Sequence, residues 1–156
     1  MAEPSPAASG QVPRSPASSQ PSISGIDPLV SCVSLDFTTK QHKRITVDEV
    51  TSARDAGAFV WIDVDVAQTE EARTLLNKLG LCMPEIWEDA LSREPATQIA
   101  RYDDYLHLVL SGCRLSGHKF DLERVDAILG EQFLLTIHRG QAVVLEAVRK
   151  AYHADF

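Results

Sequence analysis

The alternation of apolar and polar residues predicts strands at the start of the folded part of the chain. Val33, Leu35 and Phe37 occupy every second position between polar neighbours, which is the period of a strand with one buried face. We place this strand at residues 29–37. Residues 58–64 instead form a short apolar run rich in β-branched and aromatic side chains, which is typical of a central strand that is buried on both faces.

Helices are predicted from the residues that begin and end them. Thr46 and Glu49 have the spacing of a capping box, so we expect a helix over residues 47–56. Residues 69–79 carry an apolar stripe at helical spacing, and Gly80 follows where a helix can end in a left-handed residue. A further short helix is expected to begin at Pro84, because proline suits the first position of a helix.

The second half of the chain returns to the two-residue period of strands. We expect three strands that run as an antiparallel meander, at residues 104–115, 122–129 and 132–138. A closing helix is then predicted by a stripe of small and β-branched residues, namely Val143, Val144, Ala147, Val148 and Ala151. The pattern as a whole predicts an α/β fold with mixed strand directions.

Composition separates a tail from this body. Six of the eight prolines lie within residues 1–28, which contain few charges and almost no large apolar side chains. Such a segment buries too little surface to offset the entropy of ordering it, so we expect a disordered Ala/Ser/Pro-rich tail at 1–28 and one domain at 29–156. No apolar run approaches the roughly 20 residues of a membrane helix, so the chain as given is expected to be soluble and cytoplasmic.

Charge and cysteine content restrict the classes of ligand. The formal net charge is −7 without a block of lysines or arginines, which argues against nucleic-acid or anionic-membrane binding and leaves cations as plausible ligands. Cys32, Cys82 and Cys113 are widely spaced, and no Cys-x-x-Cys pair occurs. This spacing argues against a disulfide framework and a structural zinc site, and it favours a reducing compartment.

Asp63 and Asp65 are the first pair of candidate site residues. Because they are two positions apart on a strand, their carboxylates lie on the same face and could present oxygen atoms to a hard cation such as magnesium. Apolar residues followed by Asp-x-Asp also resemble the nucleophile motif of haloacid-dehalogenase-type phosphatases, although Ala67 replaces the Thr or Val that this motif prefers. The interpretation that we favour is structural: both residues cap or turn the chain as it leaves the strand.

Glu88 and Asp89 are the second pair. They lie near the end of a short helix, where the negative end of the helix dipole disfavours acidic groups unless a cation or a donor compensates them. Sequence alone leaves two interpretations open, a solvated acidic helix end and a cation-binding role. The five histidines show no ligand spacing, and we interpret them as structural or surface groups.

Five collinear segments carry a resemblance to a known family. They are Trp-Ile-Asp at 61–63, Leu-Gly-Leu at 79–81, Glu-Asp-Ala-Leu at 88–91, Tyr-Asp-Asp-Tyr at 102–105 and Leu-Thr-Ile-His at 135–138. In this order, residues 29–156 resemble the soluble N-terminal domain of CorA-type divalent-cation channels. The resemblance implies an α/β/α sandwich with a mixed, largely antiparallel sheet, located in the cytoplasm beneath a homopentameric pore.

The resemblance also implies a function and a site. Asp89 falls where such channels place an acidic ligand for a regulatory divalent cation, magnesium or another, and Glu88 lies beside it. In the family this ion bridges neighbouring subunits and holds the pore shut, so the chain is expected to be a cation-sensing regulatory domain and not an enzyme. The second acidic ligand would come from the stalk helix of another subunit of the same channel.

The stalk, the two membrane helices and their Gly-Met-Asn signature do not occur in the 156 residues, so we expect that this chain alone does not transport ions. Two alternatives remain at this stage. One is a magnesium-dependent haloacid-dehalogenase-like phosphatase that uses Asp63 and Asp65. The other is a stand-alone soluble interaction module that assembles with channel subunits.

Overall fold

The described residues form one seven-stranded sheet with helices on both of its faces. The computed structural model describes residues 29–92, 94 and 96–152, so the tail predicted at residues 1–28 lies outside the described residues, as does His153. The elements are β1 Val30–Asp36, β2 Gln41–Ile45, a 3-10 turn Val47–Glu49, α1 Val50–Asp55, β3 Phe59–Asp65, α2 Thr69–Leu79, α3 Pro84–Ala90, β4 Gln98–Arg101, β5 Tyr105–Ser116, β6 Lys119–Gly130, β7 Phe133–His138 and α4 Val143–Ala151.

The sheet is mixed and largely antiparallel, as the sequence indicated. Its strand order is β2-β1-β3-β7-β6-β5-β4. β5, β6 and β7 form the predicted antiparallel meander, whereas β3 and β7 are parallel neighbours at the centre of the sheet. The parallel register places Asp63 beside Thr136 and Asp65 beside His138. Residues that are more than 70 positions apart in the sequence therefore become neighbours.

β3 is the central strand that the apolar run predicted. Its residues from Val60 to Val64 are all buried. Val60, Ile62 and Val64 belong to the main core, which also contains buried residues of α1, α2 and α3. The side chains between them face the opposite layer, where Trp61 contacts Tyr152 and Asp63 contacts Arg149 of α4. The sheet thus lies between three helices on one side and α4 on the other.

The predicted helix ends are confirmed. The Thr46 backbone N–H donates to Oε2 of Glu49 at 2.8 Å and completes a capping box, although one 3-10 turn precedes α1. Gly80 ends α2 with φ of 57°, and Gly57 follows α1 with φ of 85°. Both values lie in the left-handed region, which glycine adopts without steric cost.

Two strands, β2 and β4, were missed by the sequence analysis. Each lies at an edge of the sheet, and four of the five β2 residues and three of the four β4 residues are exposed. Exposed edge strands are held by backbone hydrogen bonds and need no apolar period, so the pattern that revealed the other strands is absent from them.

The apolar stripe that predicted α4 is not the surface that α4 buries. Val143, Val144 and Val148 are 42%, 42% and 45% exposed, whereas Leu145 is 6% exposed and packs with Val125 and Ala142. The stripe correctly predicted a helix, but the tertiary packing selected a different residue for burial. Gly112 of β5 lies directly against the Val144 side chain. A Cβ atom added at Gly112 would come within 2.9 Å of that side chain.

Candidate cation site

α3 presents Glu88 and Asp89 at the surface because its other side is anchored in the core. Ile86, Trp87 and Ala90 are buried, and Pro84 occupies the first turn. Glu88 and Asp89, which lie between these buried residues in the sequence, must therefore lie on the outer side of this short helix. The Asp89 side chain is 54% exposed, so its carboxylate is accessible to solvent.

One arginine of the sheet binds the Asp89 carboxylate. Arg124 of β6 donates from Nη2 to Oδ2 of Asp89 at 2.6 Å, although its own side chain is only 11% exposed. The same guanidinium donates from Nη1 to Oγ of Ser92 at 3.0 Å and to the carbonyl of Glu94 at 3.1 Å. Arg124 thus ties the end of α3 and the segment that follows it to the sheet.

Behind Arg124 lies a buried carboxylate. Asp126 is 1% exposed and accepts from Nε of Arg124 at 2.7 Å and from its Nη2 at 2.9 Å. Nε2 of His107, also 1% exposed, lies 2.8 Å from Oδ1 of Asp126. The hydrogen bond with Asp126 raises the pKa of Arg124 above its usual range, despite the opposing effect of burial. We call His107, Asp126, Arg124 and Asp89 the Arg124 network.

Glu88 binds a different arginine. Arg73 of α2 contacts the Glu88 carboxylate, and its guanidinium carbon lies 5.8 Å from the centre of the Trp87 ring. The structure therefore places both predicted site residues at the surface but engages each with its own arginine. Within residues 29–92, 94 and 96–152, no group of three or more His, Cys, Asp and Glu side chains is arranged to hold a metal ion.

The donor set fits a divalent cation only in part. A surface carboxylate such as that of Asp89 is an oxygen ligand of the kind that magnesium takes, and magnesium usually keeps several waters beside one or two carboxylates. Asp89 is thus suited to supply one ligand of a hydrated ion. Any cation at this position must compete with Arg124 for the same carboxylate.

Asp63 has a structural environment that the sequence did not indicate. It is 7% exposed, accepts from Oγ1 of Thr136 at 2.6 Å and accepts from Nε of Arg149 at 2.7 Å, while Nε2 of His138 lies 3.4 Å away. Burial acts to raise the pKa of Asp63, but the hydrogen bonds from His138 and Thr136 and the charges of His138 and Arg149 outweigh it and lower the pKa. We call Asp63, Thr136, His138 and Arg149 the Asp63 network.

Asp65 performs the turn role that was expected of both aspartates. Its Oδ1 accepts from the backbone N–H groups of Ala67 and Gly140, each at 2.8 Å. Asp63 does not turn the chain, so that part of the structural interpretation was wrong. The geometry does not favour the phosphatase alternative either, because both carboxylates are engaged within the fold and the sheet is not doubly wound.

Arg124 and Asp126 were missed as contributors to the site. Arg124 and Asp126 lie two positions apart on β6 and therefore share a face, which was the available signal. His107 was correctly interpreted as a structural histidine. The cysteines are free thiols: Cys32 is buried, Cys82 is half-buried and Cys113 is exposed.

The sequence comparison identifies the family of the chain. The family model described as CorA-like Mg2+ transporter protein matches residues 56–155, which is well over half of the sequence. The chain therefore belongs to the CorA-like family of Mg2+ transporter proteins, and the resemblance noted from the five collinear segments is confirmed. No curated protein matches the sequence.

Solved structures confirm the fold. The soluble domain of CorA from Methanocaldococcus jannaschii is 14% identical with a TM-score of 0.59, and the match covers 80% of this chain and 46% of that one. The cytoplasmic domain of ZntB from Vibrio parahaemolyticus RIMD 2210633 is 15% identical with a TM-score of 0.58, covering 81% and 50%. The full-length CmaX protein is 11% identical with a TM-score of 0.64, covering 81% and 39%.

These likenesses establish the fold. The chain spans half or less of the length of each of these structures. None of the helices described between residues 29 and 152 combines the length and the apolar content that spanning a membrane requires.

Proposed function

We propose that residues 29–156 are the cytoplasmic regulatory domain of a divalent-cation transporter, in which they sense the cation and gate transport. The family assignment supplies the class of protein. The observation that carries the proposal is the position of Asp89, whose carboxylate is half exposed at the end of α3 in a CorA-like fold. A binding site on such a surface can be completed by a neighbouring subunit.

The physical basis of the proposed regulation is linkage. A cation that binds only one packed arrangement of the subunits stabilises that arrangement by mass action, so its concentration controls the fraction of closed assemblies. Asp89 would supply one oxygen ligand, waters would complete part of the shell, and an acidic residue of another subunit would supply the rest. The proposed assembly is a homopentamer, and magnesium is the proposed ion.

Glu88 has a secondary role in this proposal. Its carboxylate contacts Arg73, so it is engaged on the α2 side of the helix. It still adds negative charge next to Asp89, at the helix end where the dipole is itself negative. We therefore propose that Glu88 increases the local attraction for cations and that Asp89 makes the direct contact.

A transport assay tests the proposal. The assembled transporter that carries this domain would be reconstituted in liposomes, and magnesium flux would be measured against magnesium concentration on the side of the domain. We expect Asp89→Asn to raise the magnesium concentration needed for half-inhibition about fivefold or more, the usual scale of coupling between sites. An unchanged half-inhibiting concentration would remove Asp89 from the sensor.

Asp48→Asn is the matched control. Asp48 is an exposed carboxylate that also binds one basic side chain, Lys78, at 2.6 Å. It lies in the 3-10 turn before α1 and belongs to neither acidic pair. We expect this variant to retain the wild-type half-inhibiting concentration, so that any effect of Asp89→Asn is assigned to position and not to the loss of one negative charge.

A further inference from the structure

The carboxylate proposed as a cation ligand is already held by a cation that belongs to the protein. Nη2 of Arg124 lies 2.6 Å from Oδ2 of Asp89. A divalent ion on the same carboxylate would lie within a few ångströms of the guanidinium, where two positive charges repel each other strongly. Filling the site therefore requires the ion to displace Arg124 from Asp89 or to bind against its repulsion.

Arg124 cannot leave the neighbourhood of the site. Four further hydrogen bonds hold its guanidinium, two to Asp126, one to Ser92 and one to the Glu94 carbonyl. Asp126 is almost fully buried, and removing its partner would leave a buried charge uncompensated. The positive charge of Arg124 thus remains beside Asp89 even when the contact between them breaks.

We propose that Arg124 is a built-in competitor of the divalent cation, and that it sets the concentration at which the Asp89 site fills. This inference rests on the proposed role of Asp89 as a ligand. Arg124 acts as a positioning residue: in the ion-free domain it neutralises and orients the carboxylate, and it yields the carboxylate only when the ion is abundant. A domain without Arg124 would fill at a lower concentration.

The same contacts connect the site to the segment after α3. Arg124 binds Ser92 and Glu94, and the Ser92 backbone N–H donates to the carbonyl of Asp89 at 2.9 Å. When the ion takes over the carboxylate, the guanidinium loses one of its anchors and retains those to Asp126 and to this segment. Occupancy of Asp89 is therefore communicated to residues that follow the helix.

The test uses manganese as a probe of weak binding. Manganese(II) is a divalent oxygen-seeking ion whose unpaired electrons broaden nearby NMR signals, so titrating it into the 156-residue chain reports binding at Asp89 through the amide signals of α3. The decisive variant is the double substitution Arg124→Gln and Asp126→Asn. It removes one positive and one negative charge, so the net charge of −7 is unchanged and no buried carboxylate is left unpaired.

We expect the double variant to bind manganese up to about fivefold more tightly, because a partly exposed ion pair contributes up to roughly this factor and its loss frees the carboxylate. Structural damage alone would weaken binding, so a gain in affinity separates competition from loss of fold. Arg124→Lys is the conservative variant. Lysine keeps a positive charge beside Asp126 but lacks the planar guanidinium that binds both carboxylates. We therefore expect a gain in manganese affinity that is smaller than that of the double variant.

Two controls define the site. Arg139→Gln removes a positive charge beside the end of α3, where Arg139 donates to the Leu91 carbonyl. We expect this variant to bind manganese with little gain in affinity over the wild type. Adding Asp89→Asn to the double variant should abolish the tight binding. If Arg139→Gln produced the same gain as the double variant, the effect would be general electrostatics and the proposal would be wrong.

The outcomes distinguish the inference from the proposed function. Broadening that depends on Asp89 but is equally strong in the wild type and in the folded double variant would keep Asp89 as a ligand and overturn the role of Arg124. Broadening that depends on Asp89 only in the double variant would support both the role of Asp89 as a ligand and the role of Arg124 as a competitor. The absence of Asp89-dependent broadening in both proteins would overturn the proposed site itself.

Discussion

The two faces of the sheet carry similar networks, whose arginines differ in the number of carboxylates that they bind. Each contains a buried aspartate, a buried histidine and an arginine: Asp126, His107 and Arg124 on the α3 side, and Asp63, His138 and Arg149 on the α4 side. Among the described residues, the side-chain partners of Arg149 are its own aspartate and histidine, whereas Arg124 also binds a second, exposed carboxylate. A closed network stabilises the fold, while an open-ended one can also respond to a ligand.

The degree of burial should decide how much each arginine contributes to stability. The Arg124 side chain is 11% exposed and its aspartate 1%, whereas the Arg149 side chain is 35% exposed and its aspartate 7%. Water can therefore replace Arg149 more readily than Arg124. Equal losses of stability on removing either arginine would contradict this ranking by burial.

The largest effect is expected for Arg124→Ala. It leaves Asp126 buried without its cation, and breaking a buried pair in this way lowers the free energy of unfolding by about 3–5 kcal/mol. Urea unfolding followed by circular dichroism measures the change. Arg101→Ala, at an exposed position near the end of β4, is the control and should stay within about 0.5 kcal/mol of the wild type. A loss below about 1 kcal/mol for Arg124→Ala would show that Asp126 is solvated or protonated without it.

A smaller loss is expected for Arg149→Ala. Asp63 keeps its hydrogen bond from Thr136 and its contact with His138, and water can reach the vacated position. We expect the free energy of unfolding to fall by about 1–3 kcal/mol, the range for a hydrogen bond to a charged group. The same urea experiment compares the two arginines. A loss equal to or larger than that of Arg124→Ala would contradict the ranking by burial.

Acid should weaken the Asp63 network in a defined direction. The pKa of Asp63 is lowered from its ordinary 3.8 in the folded state, so its contribution to stability is complete above that value and is lost as the pH falls through the folded pKa. Stability of the wild type should therefore fall more steeply below about pH 4 than that of Asp63→Asn. Thermal melts across this pH range measure both slopes, and parallel slopes would mean that Asp63 contributes no pH dependence.

The smallest effect on stability is expected for Asp89→Asn. The carboxylate is 54% exposed, and an exposed ion pair contributes about 0–1 kcal/mol to stability. Arg124 also keeps its contacts with Asp126 after the change. Urea unfolding should show little change in a variant whose manganese binding is lost. A fall of more than about 2 kcal/mol in the free energy of unfolding would mean that Asp89 is needed for the stability of the Arg124 network.

The fold was largely predictable wherever burial imposes a period. β3, α2 and the β5–β7 meander follow from apolar spacing, and Gly80 and Pro84 mark helix boundaries through their own backbone preferences. β2 and β4 were not predictable because edge strands bury little. The face that α4 buries was also unpredictable, because an apolar stripe does not state which surface will cover it.

The candidate site was predictable only as an acidic helix end. Asp89 could be singled out from its position and from the family resemblance, and Glu88 from its adjacency. Its partner Arg124 lies 35 positions further along the chain, and no local pattern links the two. Asp63 shows the same limit: its position on a strand was readable, but its burial against Arg149, 86 positions away, was not.

The sequence by itself determined the class of fold, the helix ends, the central strand and the presence of acidic pairs, because these depend on residues within a few positions of one another. Only the tertiary structure decided which carboxylates are buried, which arginine each one meets and which of them remains open to solvent. The physical reason is that ion pairing and desolvation act through space between groups that the sheet register brings together. In this domain the fold encloses Asp63 beside Thr136, whereas Arg124 holds Asp89 at the surface.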